Sequence, residues 1–330
     1  MVFGQPRPVA GFESTPPREG ALTDEERDGA GPTDIRGNAS TSLRNGTQGR
    51  MRILPDLPDL HILPAEALRP HEHHEGRRAA PLAEALRREG VLRNPPIVLP
   101  LSGHEERYVV LDGANRTTAF QQLGLKYVLA QVVHPGDNQV GVETWNHAVL
   151  GMTEDELLAG LRGMGEAEIQ ESDAEQATAD MIQRSALAYL SLRSDRVVSV
   201  AATVPDLRSR VAGLNRLVNA YQSRGHIERT NAATVAEVER AFPAAAGLVV
   251  FLAFTVQDIV DAVAEGLLLP AGLTRFIISP RALRVNYPLK ALALEESREA
   301  KEQALTRWVH ERVVQRKVRY YAEATYLFDE

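Results

Sequence analysis

Val110-Leu111-Asp112-Gly113-Ala114-Asn115-Arg116-Thr117-Thr118 is the stretch on which the fold of this chain turns. An apolar run ends at Leu111, Gly113 permits a close bend, and a helical pattern runs from Asn115 to Leu123, closed by Gly124. The first turn of a helix offers unpaired backbone N–H groups and the positive end of the helix dipole, which together suit phosphate. Arg116 adds a bidentate cation, and Thr117 and Thr118 add hydroxyl donors. The stretch lacks the Gly-Lys-Ser/Thr of a Walker loop and the G-x-G-x-x-G of a dinucleotide fold. An ordinary strand-to-helix turn, capped by Asp112 or Asn115, has the same signature.

Working outward, the pattern is compact and α/β. His61–Pro64, Pro96–Leu99, Tyr108–Leu111 and Tyr127–Val133 read as strands, Leu68–Glu72 as a Pro-interrupted loop, and Pro81–Glu89 as a helix ended by Gly90. A second unit follows. Capping boxes start helices at Thr153 and Thr255, Ala186–Leu192 and Val197–Ala201 form a hairpin, and Leu207 to Tyr221 has helical spacing. Gly247–Phe254 is strand-like, and residues 290–328 read as one long helical tail, with Trp308 and Tyr320-Tyr321 suited equally to a homodimer contact or to docking on the same chain. Residues 1–50 hold only 12 apolar residues against 13 Gly or Pro, too few to offset the ordering of their backbone, so they are expected to be a disordered extension. The expected division is 1–50 extension, 51–150 nucleotide-binding domain, 151–289 second α/β domain, and 290–330 tail.

Composition narrows the chemistry. The chain has 330 residues, 44% of them hydrophobic, and no cysteine, which excludes disulfides, Cys-ligated metals and thiol nucleophiles. Its net charge of −7 points away from a protein built to grip nucleic-acid backbone. The longest apolar stretch, 11 residues from Ala244 to Phe254, falls short of the ~18 needed to span a bilayer, so no membrane role is expected and a cytoplasmic location is.

Two other clusters carry candidate chemistry. Pro70-His71-Glu72-His73-His74-Glu75 is rich in imidazole and carboxylate, groups that ligate metals or act as bases, although a solvated polar loop has the same composition. The protease pattern H-E-x-x-H fails there because position 75 is Glu. Thr144-Trp145 and Thr274-Arg275 matter in combination, one offering an aromatic wall and the other a hydroxyl beside a guanidinium.

In this order the motifs resemble the ParB/sulfiredoxin fold, and within it the free L-serine kinases. Pro70-His71-Glu72 precedes a helix, Asp112-Gly113-Ala114-Asn115-Arg116 follows a strand, Thr144-Trp145 comes about thirty residues later, and Thr274-Arg275 leads into a strand. The resemblance covers roughly Leu60 to Pro280, and Arg281 to Pro288 is similar to the bacterial siderophore-pathway branch. It implies a ParB/sulfiredoxin-like domain, a second α/β domain, and phosphoryl transfer from ATP or ADP, with Mg²⁺, to free L-serine. Glu72 would then be the general base, and Asp112 would orient the hydroxyl or hold Mg²⁺. Pro70, His71, Gly113, Ala114, Asn115, Arg116, Thr117 and Thr118 would surround the nucleotide, and Asn94, Trp145, Thr274 and Arg275 the serine. Archaeal members carry His-His where this chain has Ala114-Asn115, so no role of those imidazoles transfers and the donor stays open between ATP and ADP. The sulfiredoxin cysteine is missing, and no helix-turn-helix of the partitioning proteins is evident after residue 135. Competing readings are a ParB-like nucleotide switch acting on DNA and a metal-dependent regulator using His71, His73 and His74.

Overall fold

The computed structural model describes residues 57–321, apart from 74–75, 102, 104–105, 135, 137–139, 166–167, 202–203 and 205. The expected extension at 1–50, together with His74 and Glu75, lies outside the described residues. Everything below concerns the unit that begins at Leu54.

Its first half contains β1 (Leu60–Pro64), β2 (Leu68–Pro70), α1 (Gly76–Glu89), β3 (Val91–Leu92), β4 (Ile97–Pro100), β5 (Tyr108–Asp112), α2 (Ala114–Gln122) and β6 (Tyr127–Val132). Five of these strands form a mixed sheet in the order β1-β6-β4-β5-β2. The central strands β4 and β5 are apolar at successive positions because both faces are covered. Val98 and Val110 pack with Phe120 and Leu86 toward the helices, while Ile97, Leu99, Val109 and Leu111 face the core of the second half. This double burial holds the C-terminal end of β5, and so the Asp112 turn, rigid.

The second half contains β7 (Val140–Thr144), β8 (Asn146–Leu150), α3 (Glu154–Arg162), β9 (Ile169–Ser172), α4 (Ala174–Ile182), β10 (Ala186–Leu192), β11 (Val197–Ala201), α5 (Leu207–Gln222), β12 (His226–Thr230), α6 (Val235–Ala241), β13 (Gly247–Phe251), α7 (Val256–Ala264) and β14 (Thr274–Ile278). Its six-stranded antiparallel sheet runs β12-β8-β13-β10-β11-β9. The capping boxes at Thr153 and Thr255 form as expected, each hydroxyl accepting the N3 amide while the N3 carboxylate reaches back. A separate ladder pairs β7 with β14, setting Thr144 opposite Thr274 and Glu143 opposite Arg275.

Three sequence expectations change. Leu68–Pro70 is an edge strand parallel to β5 rather than a loop, since an edge position tolerates the missing amide hydrogen of Pro70. The first helix starts at Gly76 and carries Pro81 in its interior. The tail is two helices, α8 (Leu289–Ala293) and α9 (Arg298–Val314), with β15 (Tyr287–Pro288) before them. Ser297 caps α9 by accepting the Ala300 amide, and the buried Lys301 ammonium donates to the carbonyls of Ala291, Leu292 and Leu294. That lysine satisfies the end of α8 and so stabilises the break.

Two histidines are enclosed in these cores, His71 at 2% exposure and His147 at 1%. His147 Nδ1 lies 2.8 Å from the Tyr221 hydroxyl. Burial lowers the pKa of His71 to about 4, against the Val110 carbonyl and Asp112, and that of His147 to about 3, with Arg229 adding repulsion. Above the ordinary value of 6.5 neither state holds the proton and these rings add no pH dependence. Below it the unfolded chain takes up protons the fold refuses, so stability falls until the folded pKa is reached. Urea unfolding is therefore expected to weaken from pH 6.5 toward 4 by up to roughly 1.4 kcal/mol per pH unit per histidine, and His147→Gln should shrink that slope.

Candidate active site

Four segments meet at one cleft of about 450 Å³: the exit of β2, the β5–α2 turn, the β7/β14 ladder, and the chain just after β14.

His71 links three of them. Its Nδ1 sits 2.6 Å from the Val110 carbonyl, an acceptor only, so Nδ1 carries the hydrogen. Nε2 is then the acceptor, and the Thr274 hydroxyl donates to it at 2.6 Å. The ring also meets Phe276 edge-on at 5.3 Å. A neutral imidazole is required for both bonds, and burial keeps it neutral at pH 7. The Thr274 proton is therefore committed, which leaves its oxygen as an acceptor toward the cleft.

Glu72 follows on a backbone held from both sides, as the Leu269 amide donates to the His71 carbonyl and the His73 amide to the Leu269 carbonyl, each at 2.9 Å. Its carboxylate, 20% exposed, accepts the Gly272 amide at 2.7 Å. Gly272 has φ +70°, and the Arg229 guanidinium occupies the space a Cβ would need. A small residue with left-handed freedom is thus demanded where the loop turns its amide on Glu72.

The cap of α2 is Gly113, at φ 98° and with no side-chain cap bond, in place of the Asp112 or Asn115 cap that the sequence allowed. A Cβ there would come within 2.9 Å of Arg116 Nε and 3.1 Å of the Pro96 Cα. Arg116 lies folded beneath the turn, donating to the Asn94 carbonyl and to Asp112 Oδ2, both at 2.9 Å. The amides of the first turn of α2 have no helical acceptors, and Gly113 to Arg116 line the cleft. Asn115 Oδ1 is buried without a protein partner.

On the far wall, the Trp145 amide donates to the Leu273 carbonyl, and the Arg275 guanidinium stacks 4.8 Å from the Trp145 ring centroid with Glu143 3.5 Å away. An aromatic face under a cation leaves the guanidinium edge for a carboxylate ligand.

The structure thus brings His71, Glu72, Asp112, Gly113, Ala114, Asn115, Arg116, Trp145, Thr274 and Arg275 to one cleft. Four residues expected there lie elsewhere. Thr117 and Thr118 spend their hydroxyls on the carbonyls of Gly113 and Ala114, one helical turn back. Pro70 ends β2, and Asn94 braces the site from outside, its side chain accepting the Arg284 amide. Sequence reading did not place Arg229 or Arg281 in the lining: Arg229 sits in no motif, and Arg281 only opens the stretch likened to one branch. Among the described residues no group of three or more His, Asp or Glu could hold a metal, and His74 of the histidine cluster lies outside them.

No protein-family model matches the chain. An ATP-dependent L-serine kinase of Staphylothermus marinus is 36% identical over 99 residues, 29% of this chain and 39% of that protein. The ATP-dependent L-serine kinase SbnI of Staphylococcus aureus is 23% identical over 240 residues, 72% of this chain and 85% of that protein. The chain therefore spans about two-fifths of the first relative and most of the second. Among solved structures, C-terminally truncated SbnI superposes with a TM-score of 0.62 at 20% identity, covering 77% of this chain and 97% of that one. A free serine kinase in complex with AMP gives 0.60 at 17%, covering 74% and 98%. The fold is the one these proteins share, and in sequence as in fold the chain resembles the free L-serine kinases.

Proposed function

We propose that this chain is a free L-serine kinase, transferring the terminal phosphoryl group of ATP or ADP to the serine hydroxyl to give O-phospho-L-serine. The observation that carries the reading is the placement of a fixed carboxylate, Glu72, in the same cleft as the amide-lined α2 turn and the Arg275–Trp145 wall. Phosphoryl transfer asks the protein mainly for positioning, charge neutralisation and a base at the attacking oxygen. Two relatives named as serine kinases and a structural neighbour holding AMP support the choice of substrates.

In this mechanism the nucleotide phosphates lie on the first-turn amides of Ala114 to Arg116, and the serine carboxylate meets Arg275 against Trp145. The serine ammonium is offered the acceptor oxygen of Thr274. Glu72 removes the hydroxyl proton as the serine oxygen bonds to the terminal phosphorus. The bond from phosphorus to the bridging oxygen breaks, and its electron pair leaves with the shortened nucleotide. Mg²⁺, when bound, would neutralise phosphate charge. Asp112 at the cleft rim, with phosphate oxygens and water, fits that ion, because Mg²⁺ is usually held by one or two carboxylates plus phosphate. Residues 51–150 would form the nucleotide half and 151–289 the amino-acid half of a cytoplasmic enzyme that feeds siderophore or amino-acid biosynthesis. Among the described residues no helix is long and apolar enough to cross a membrane.

Incubating the protein with Mg²⁺ and serine, and separately ATP or ADP, should yield O-phosphoserine. Nucleotide-dependent DNA binding without phosphoserine would instead favour a ParB-like switch. Glu72→Gln keeps an acceptor for the Gly272 amide and is expected to lower turnover by about 10²–10⁴ while leaving nucleotide Kd nearly unchanged; near-normal turnover would remove Glu72 as the base. Gly113→Ala forces a Cβ against Arg116 and Pro96 at positive φ. It should cost about 1–3 kcal/mol of stability and weaken nucleotide binding, as read by denaturant unfolding and a binding titration.

A further inference from the structure

The β5–α2 turn holds more positive charge than its own architecture uses. Asp112 Oδ2 receives two guanidiniums, Arg116 at 2.9 Å and Arg281 at 2.6 Å. One carboxylate cannot neutralise two cations, and the amides and dipole at the start of α2 add to the excess.

The two arginines are held differently. Arg116, 20% exposed, is pinned under Gly113 with a second bond to the Asn94 carbonyl. It is a strut of the turn. Arg281, 35% exposed, reaches the cleft from the segment after β14, and Asp112 is the partner its guanidinium shows.

The backbone that carries Arg281 is itself clamped. The Gln131 side chain, on a residue 3% exposed in β6, donates to the Pro280 carbonyl at 2.9 Å and accepts the Ala282 amide at 2.8 Å. A buried amide thus spends both ends on the two residues that flank Arg281. Farther along, the Arg284 amide donates to Asn94 Oδ1, the Asn286 amide to the Arg93 carbonyl, and Tyr287 pairs with Leu92. The segment from 280 to 288 is tied to the nucleotide half along its length, and Arg281 is its one side chain in the cleft lining. A rigid base with a partly exposed guanidinium at its tip is pre-organised for an anionic ligand.

We propose that Arg281 grips the nucleotide polyphosphate, leaving Asp112 for phosphate oxygens when nucleotide binds, while Arg116 stays on Asp112. Arg281 thereby becomes the arginine that neutralises charge on the transferred group, with Gln131 as its positioning residue. The proposal rests on the nucleotide reading of this cleft. It also accounts for Asp112 as the resting counter-ion, which the exchange frees for Mg²⁺ as the phosphates arrive.

The test is a titration of the full chain with ATP and Mg²⁺, comparing wild type with Arg281→Gln and Arg281→Lys, alongside ligand-free melting. Loss of a charge-assisted bond to phosphate is expected to raise the ATP Kd about tenfold or more in Arg281→Gln. Arg281→Lys should recover part of it, with the ligand-free Tm and the KM for serine close to wild type. An ATP Kd within twofold of wild type in Arg281→Gln overturns the proposal. So does weakened binding that tracks a fall in ligand-free Tm and is not recovered by lysine, which would make Arg281 a structural strut. If wild type binds ATP but forms no O-phosphoserine, the kinase reading fails and the arginine is still judged by the same titration. If wild type binds neither ATP nor ADP, both fail.

Discussion

The buried imidazole of His71 is the point on which the site depends. Its hydrogen goes to the carbonyl of Val110 on the central strand of the first sheet, and its lone pair takes the hydroxyl of Thr274 on the ladder of the second half. Those two bonds work only for a neutral ring in one tautomer, and burial beside Phe276 keeps the ring neutral. Everything used from either half is then within reach: Glu72 is the next residue, the Asp112 turn ends the strand His71 bonds, and Arg275 follows Thr274. A charged ring at this place could not accept from Thr274, so protonation strikes the fold and the site together.

Around this joint the charges are arranged asymmetrically. The Glu72 side is anionic and held by a backbone amide, the Gly272 N–H donating to the carboxylate. The β5–α2 turn is cationic, with Arg116 and Arg281 sharing Asp112. Such separation suits a reaction in which negative charge accumulates on phosphate oxygens while a proton is drawn away from the acceptor. The ordering groups are themselves buried or braced. Gln131 and Asn94 lie outside the cleft lining, yet with Gly113 they set where the arginines and amides point.

Much of this was legible in the residues. Apolar runs at Pro96–Leu99 and Tyr108–Leu111 announce strands, and Thr-x-x-Glu or Thr-x-x-Asp announces a capped helix, because these signals act over a few residues. The Asp112–Arg116 turn, the Pro70–Glu72 segment, Trp145 and Thr274-Arg275 stood out as local chemistry. The misreadings share a cause. Thr117 and Thr118 looked like phosphate donors because composition cannot say that a helical threonine bonds its own preceding turn. Residues 290–328 looked like one helix because the break at Leu294 is held by Lys301, a residue whose partners only the folded chain supplies. Arg229 carried no motif and Arg281 only opened a stretch noted for its likeness to one branch, since an arginine becomes a site residue through where its backbone is clamped.

Sequence by itself determined the α/β class, the turn at Gly113, the lack of thiol chemistry and the order of the motif residues, because each follows from local stereochemistry or composition. Tertiary structure alone decided that four segments separated by up to two hundred residues close on one cleft. It also decided that Arg116 is a strut while Arg281 lines the cleft, and that His71 is a neutral joint rather than a surface imidazole. Those outcomes depend on burial and on long-range hydrogen bonds, which exist only once both sheets are packed.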